Sequence, residues 1–440
     1  MTPFIWIIGG SLAGFITAYR LLTYGFRIGI LERRPESDKQ DHPDLLPPVW
    51  PGFFHATWSL LQELSLPLPP FHTGGIEVLS PAKERFRIPR LPVFSGLHVF
   101  PELFVFQGLS WRDRLNLLNS VEQDWEGNNA NAATPDTQTA ETWVMAAGQS
   151  PRAQQEFWNP LCRWLLGCNL SEASSRMFQT ILVQYAHAKS TGTQWFFAHP
   201  STLIHLKTGL RELLIQQGVQ FHCCEEYPPF QSTGKNGEHL SPAGDRFPGN
   251  GIYVAALTPE DILPLLPERS LTKFAQLDHV AQIPRDPRLL LTFTLAHLKV
   301  GPTLILCPNH IDWIVISPPA GSLGEDIQVA CLLRDAQDHE GSEPHPDIRK
   351  TWSYLQACLP FPHSHSPTSC PPGVRSQALN LYPSLTGTRA FRPANTSPVR
   401  NFFLVGPWTG TSHPPSMESL VSSANACAEA IAHQVFSGFR

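Results

Sequence analysis

The segment "FIWIIGGSLAGFITAYRLLTYGFRIGILER", residues 4–33, constrains this chain more than any other. Phe4 to Ile8 is a nearly unbroken apolar run, which suits a central parallel strand covered on both faces. A glycine-rich turn follows, Gly9-Gly10-Ser11-Leu12-Ala13-Gly14. Apolar residues at helical spacing then run to a stop at Gly25, and a second apolar strand ends at Glu32. Strand, glycine turn, helix and strand in this order form a dinucleotide-binding unit. Gly9 permits the tight turn, and Gly14 permits close packing of helix on strand. The position between them lets the backbone approach a pyrophosphate at the helix N-terminus. Ser11 holds that position where glycine is expected, and its hydroxyl is available to a phosphate. Glu32 is placed to accept hydrogen bonds from an adenosine ribose.

The rest of the composition bounds the partners. The chain has 440 residues, enough for two or three domains. Its formal charge of -5 gives no reason for a basic face, so nucleic acid is not expected as a partner. The 43 prolines crowd the second half and predict many turns there. Nine scattered cysteines without a CxxC pair read as reduced, mostly buried thiols of a cytoplasmic protein, with no metal site. The apolar N-terminus lacks a basic flank and carries glycines, so it reads as a strand rather than a signal peptide. No run is long enough for a membrane span. "LPVFSGLHVFPELFVFQGL", Leu91 to Leu109, comes nearest, and suits a buried helical hairpin or a shallow peripheral contact with a membrane.

A second signal stands at the other end, "NFFLVGPWTGTSHPPSMESLVSSANACAEAIAHQV". Phe402 to Val405 predicts a buried strand, Gly406 to Thr409 a turn, and Met417 onward a helix with small residues for close packing. With "FRIPRLPVFSGLHVFPELFVFQGLSWRDRLNLL", "ETWVMAAGQSPRAQQEFWNPLCRWLLGCNLSEAS" and "TLIHLKTGLRELLIQQGVQFH", the chain resembles the FAD-dependent amine oxidase and phytoene desaturase superfamily. Within it, the likeness is to the squalene-associated desaturases, or hydroxysqualene dehydroxylases. The resemblance implies an α/β fold: a Rossmann-type FAD-binding domain assembled from distant segments (1–69, 206–274 and 391–440), and a mixed α+β substrate domain (70–205 and 275–390). It implies FAD as cofactor, held by Gly9, Gly10, Ser11, Ala13, Gly14, Glu32, Arg33, Gly406 and Met417. The backbone near Met417 would face the flavin ring. It assigns no catalytic residue.

The chain departs from the family at three places. Ser11 replaces a glycine, no Gly-Gly-Arg follows "ERRPESDKQDH", and Pro407 stands where the family has an aspartate. Charge-assisted hydrogen bonds are worth roughly 1.5–3 kcal/mol each, so losing two would weaken FAD by about a hundredfold or more. The family histidine near residue 50 has no clear counterpart in "WPGFFHATW", which ends its turn at His55.

In the middle, the polar stretches 126–141, 227–250 and 361–373 read as loops. "GVQFHCCEEY" resembles the family's strand whose end contacts adenine by its backbone, with Tyr227 at that end. Phe94, Phe100, Phe104, Phe106, Trp111, Trp143, Phe157, Trp158 and Trp164 form either an ordinary core or an aromatic tunnel for a long apolar isoprenoid. The function implied by the resemblance is an FAD-dependent oxidoreductase that reduces hydroxysqualene to squalene in hopanoid biosynthesis, beside squalene-synthase-like enzymes. Carotenoid-type desaturation, amine oxidation, and a non-catalytic relative serving as a pathway partner are the alternatives.

Overall fold

The computed structural model describes residues 3–33, 49–80, 84–87, 108–116, 136–188, 192–233, 239–244, 247–248, 251–268, 275–295, 298, 300–317, 327–334, 346–360 and 374–437. Five parallel strands form its first sheet: β1 (Phe4–Ile8), β2 (Arg27–Arg33), β3 (Gln220–Cys224), β4 (Ile252–Ala255) and β5 (Phe402–Leu404). Their order is β5-β4-β1-β2-β3. The chain therefore leaves β1 in one direction to make β2 and β3, and in the other to make β4 and β5. The reversal lies between β1 and β4, the position where open α/β sheets bind ligands.

Side chains along β1 alternate between the two faces, as the pleat requires. Ile5 and Ile7 enter one core with Phe15, Leu206, Leu210, Leu420 and Val421. Trp6 and Ile8 enter the opposite core with Leu31, Tyr253, Phe402 and Trp408. Four helices matter here: α1 (Leu12–Thr23), α2 (His55–Leu64), α3 (Thr202–Gln216) and α4 (Met417–Ser437). All four contribute buried residues to the first of these cores. Helix α1 ends at Tyr24 with Gly25 left-handed (φ +80°), the glycine stop read from the sequence.

The second sheet has seven strands, in the order Arg375–Leu381, Asp286–Leu295, Ile327–Leu333, Ile311–Ile316, Thr303–Leu306, Gly75–Leu79 and Arg85–Arg87. Only Thr303–Leu306 and Gly75–Leu79 pair in parallel; the rest are antiparallel. Helices Ala140–Ala146, Asn159–Leu166 and Ser175–His187 share one apolar core with this sheet, and Pro346–Cys358 shares another. Among the described residues no helix is long and apolar enough to cross a membrane.

Two loop expectations are corrected. The stretch 227–250 contains an antiparallel hairpin, Phe230–Thr233 with His239–Pro242, tied to β5 by Asn401, whose amide pairs with the backbone of Leu240 and Gly251. Backbone pairing between the two strands outweighs the weak strand propensity of their prolines and serines. The stretch 126–141 ends in a helix, because Thr139 caps the backbone N–H of Thr142. Residues 126–135, 361–373 and 91–107 lie outside the described residues.

Candidate functional site

The turn after β1 stands at the sheet reversal. Gly9 has φ +118°, and a Cβ there would lie 2.3 Å from the carbonyl oxygen of Ala256, just past β4. A Cβ on Gly14 would meet the Gly9 carbonyl at 2.7 Å. A Cβ on Gly10 would meet the Glu32 Cβ at 2.9 Å and Oε2 at 3.0 Å. Three glycines thus bring the β1 turn, the β4 end and the Glu32 carboxylate into one place. The N-terminus of α1 opens at this turn, with its dipole suited to an anion. Ala13 is buried (3% exposed), with its side chain in the core that holds Ile5 and Ile7.

Ser11 is committed elsewhere than expected. Its hydroxyl donates to the Ala256 carbonyl at 2.8 Å and accepts from the Gly14 N–H at 3.3 Å. A hydroxyl has one proton, and here the Ala256 carbonyl takes it. Ser11 is the N-cap of α1 and a clasp onto the end of β4.

Glu32 is the penultimate residue of β2, and Arg211 on α3 donates from Nη2 to its Oε1 at 2.7 Å. The Arg211 guanidinium lies 4.5 Å from the ring centre of Phe221, and the Cys223 thiol is 3.8 Å from the same Glu32 oxygen. Arg33 is exposed and turns instead to the Tyr227 ring, 5.0 Å away. Strand β3 stops at Cys224, so Tyr227 lies beyond the strand rather than at its tip. Arg211 was not singled out in the sequence, although its segment "TLIHLKTGLRELLIQQGVQFH" is one of those that carry the family resemblance.

The C-terminal turn reaches its shape without the carboxylate that Pro407 displaces. The Gly406 N–H donates to Ser423 Oγ at 3.1 Å, Asn395 Nδ2 donates to the same oxygen at 2.8 Å, and the Thr409 hydroxyl lies 2.8 Å from it. The Trp408 indole N–H donates to Leu257 O at 3.0 Å, and a Cβ on Gly406 would sit 2.5 Å from that indole nitrogen. Met417 opens α4 and is 1% exposed. Its neighbour Glu418 accepts from Ala56 N, Thr57 N and Thr57 Oγ1 at 2.8 to 2.9 Å, and so caps α2 from a distant segment. Burial lowers the proton affinity of His413 below the ordinary imidazole value; Glu418 works against this shift and His55 adds to it.

Beside α2 lies an aromatic cluster. Phe53 meets Phe54, Tyr185 and Trp195 edge-on at 5.4 to 6.5 Å, and Trp58 meets Trp50, Phe71 and Phe196 at 4.8 to 6.1 Å. The aromatics read as either an ordinary core or a tunnel fall mostly into a core among the described residues. Trp143, Phe157 and Trp158 pack edge-on with one another and with Phe178 inside a core. Trp164 packs on Trp313, and Trp111 is 60% exposed. Phe94, Phe100, Phe104 and Phe106 lie outside the described residues. A cleft of about 580 Å³ opens at the edge of the second sheet, but Glu77, Arg85 and Arg87 line it and no strand of the parallel sheet takes part.

No protein-family model matches the chain. A probable zeta-carotene desaturase of Synechococcus elongatus is 22% identical over 97% of this chain and 98% of its own. An oxidoreductase from Methanosarcina mazei superposes with a TM-score of 0.66 at 14% identity, covering 97% of this chain and 100% of its own. A putrescine oxidase variant gives 0.66 at 12% identity over 98% of both chains. At such identities the solved structures speak for architecture, and on that ground the chain has their α/β fold, a Rossmann-type dinucleotide-binding sheet with a second, mixed sheet beside it.

Proposed function

We propose that the chain is an FAD-dependent oxidoreductase acting on a long apolar isoprenoid. The observation that carries this reading is the turn Gly9–Gly14 at the sheet reversal, where three glycines leave no room for a Cβ and Glu32 stands at the neighbouring strand end. These features fit the adenosine and pyrophosphate half of a dinucleotide. The return of β5 and α4 to the same sheet suits a cofactor long enough to be held by both ends of the chain. Bound there, FAD would supply hydride and electron transfer. The chain's own part is to bind and orient it through Gly9, Gly10, Ala13, Gly14, Glu32 and Gly406, and to keep water away with the buried residues around Met417. The aromatic cluster at Phe53 and Trp195 is buried, and it keeps the surroundings of that end of α4 apolar.

For the substrate, the sequence segments favour hydroxysqualene and its reductive dehydroxylation to squalene, with squalene-synthase-like enzymes as neighbours in a cytoplasmic, peripherally membrane-associated pathway. Carotenoid desaturation is the second reading. The observation favouring it is the zeta-carotene desaturase similarity along nearly the whole chain. An absorbance spectrum of the purified protein, before and after FAD loading and desalting, tests the first step. Near-stoichiometric flavin bands are expected, followed by turnover of hydroxysqualene rather than zeta-carotene. A protein that stays colourless after loading overturns the reading and leaves the non-catalytic relative.

A further inference from the structure

We propose that Arg211 is a direct ligand-binding residue which, with Glu32, clamps the cis-diol of an adenosine ribose. This inference rests on the dinucleotide reading above and goes beyond it, because the glycine-turn pattern assigns only the acidic residue. The geometry divides the Glu32 carboxylate. Oε1 is held by Arg211 Nη2 at 2.7 Å, while Oε2 faces Gly10, 3.0 Å from where a Cβ would stand. One oxygen is fixed and the other is offered at the turn. The Glu32 side chain is 16% exposed and that of Arg211 is 40% exposed, so the carboxylate is largely covered while the guanidinium is partly open to solvent. Phe221 under the guanidinium fixes its plane at 4.5 Å. A guanidinium has five N–H donors, and the carboxylate takes only one here. A vicinal diol matches this pair: one hydroxyl donates to Glu32 Oε2, and the oxygen of its neighbour accepts from Arg211. An isolated surface ion pair would contribute little to stability and would show no preference for a ligand. A clamp discriminates by hydroxyl.

The test uses the full chain stripped of flavin and titrated by calorimetry with ADP, 2′-deoxy-ADP and 3′-deoxy-ADP. In the wild type, removal of either hydroxyl should weaken binding about tenfold, the effect of one hydrogen bond to a charged group. In Arg211→Met, ADP should weaken by a similar factor and one of the two deoxy penalties should vanish, while Glu32 maintains the other. Arg211→Lys should restore part of the lost affinity. Unfolding of the ligand-free Arg211→Met protein should match the wild type within a degree or two of melting temperature. Wild-type protein that binds ADP but ignores both deoxy changes overturns the clamp and leaves the dinucleotide reading standing, even should Arg211→Met fail to fold. An Arg211→Met protein with unchanged ADP affinity and both penalties intact also overturns it. Wild-type protein that binds neither ADP nor FAD overturns the dinucleotide reading itself.

Discussion

A single hydroxyl at Ser11 separates two properties that a glycine would leave joined. As N-cap of α1 it satisfies the Gly14 N–H, and as a donor it ties the turn to Ala256. Ser11→Ala removes both bonds and should cost about 1–2 kcal/mol, read as a lower urea midpoint. Ser11→Gly should also lower the ligand-free midpoint, yet it uncovers the backbone toward the pyrophosphate. It should therefore tighten FAD while loosening the apoprotein. A Ser11→Gly protein that loses affinity as well as stability would show that the serine serves the ligand directly. His413 is a second residue with a readable sign. Its folded proton affinity lies below the ordinary imidazole value through burial. The unfolded chain then takes up the proton more readily than the native one. The contribution of His413 is full above about pH 6.5 and is lost as the pH falls below that toward the depressed native value. His413→Gln should remove this component. Melting temperatures of wild type and variant at pH 7.5 and 5.5 should show the wild type losing ground to the variant at the acid end; a constant difference would refute the assignment.

Among elements, the largest effects come from contacts between segments far apart in the chain. Glu418 on α4 caps α2 across more than 360 positions, with three acceptor contacts and 3% exposure. Glu418→Gln replaces one acceptor oxygen with a donor that faces backbone N–H groups. It should cost about 1.5–3 kcal/mol, visible as a lower denaturation midpoint with α2 amides exchanging faster. In the second sheet, Asp312 is 1% exposed and accepts from Arg288 and Arg334, with Arg163 at 4.0 Å. Asp312→Ala leaves buried guanidinium groups without that carboxylate and should cost about 3–5 kcal/mol. The sequence showed part of this. Residues 4–33 announced β1, α1 and β2 because a buried parallel strand and a glycine-stopped helix have local signatures. Met417 onward announced α4 for the same reason. The pairing of Phe230–Thr233 with His239–Pro242 was not legible, since the prolines and serines there have weak strand propensity and Asn401, which ties Leu240 to β5, lies far along the chain. Arg211, Ser423, His413 and the Glu418 cap were not legible either. Arg211, Ser423 and Glu418 each act through a partner more than ten residues away, and the His413 shift follows from burial; no local periodicity encodes either.

At the scale of the whole molecule, the parallel sheet cannot be completed by the N-terminal half. Strand β5 pairs with β4 through Phe402, Phe403 and Leu404, and α4 buries Leu420, Val421, Ala424, Cys427 and Ile431 in the core that holds Ile5, Ile7 and Phe15. Burying one such large apolar side chain is worth about 1.5–3 kcal/mol. A handful of them therefore equals the whole stability of an ordinary domain, about 5–15 kcal/mol. Removing residues 391–440 should leave no folded remnant of the glycine-turn unit, even though its signature motif and Glu32 are intact. The truncated chain should be insoluble or should bind a hydrophobic dye without a cooperative melt. Supplying 391–440 as a separate co-expressed segment should recover soluble protein, because β5 and α4 meet the rest through contacts that do not need the connecting backbone. A truncated chain that melts cooperatively on its own would mean that α1, α3 and the first four strands close a core without the C-terminal return, and that β5 and α4 serve the crevice rather than the fold.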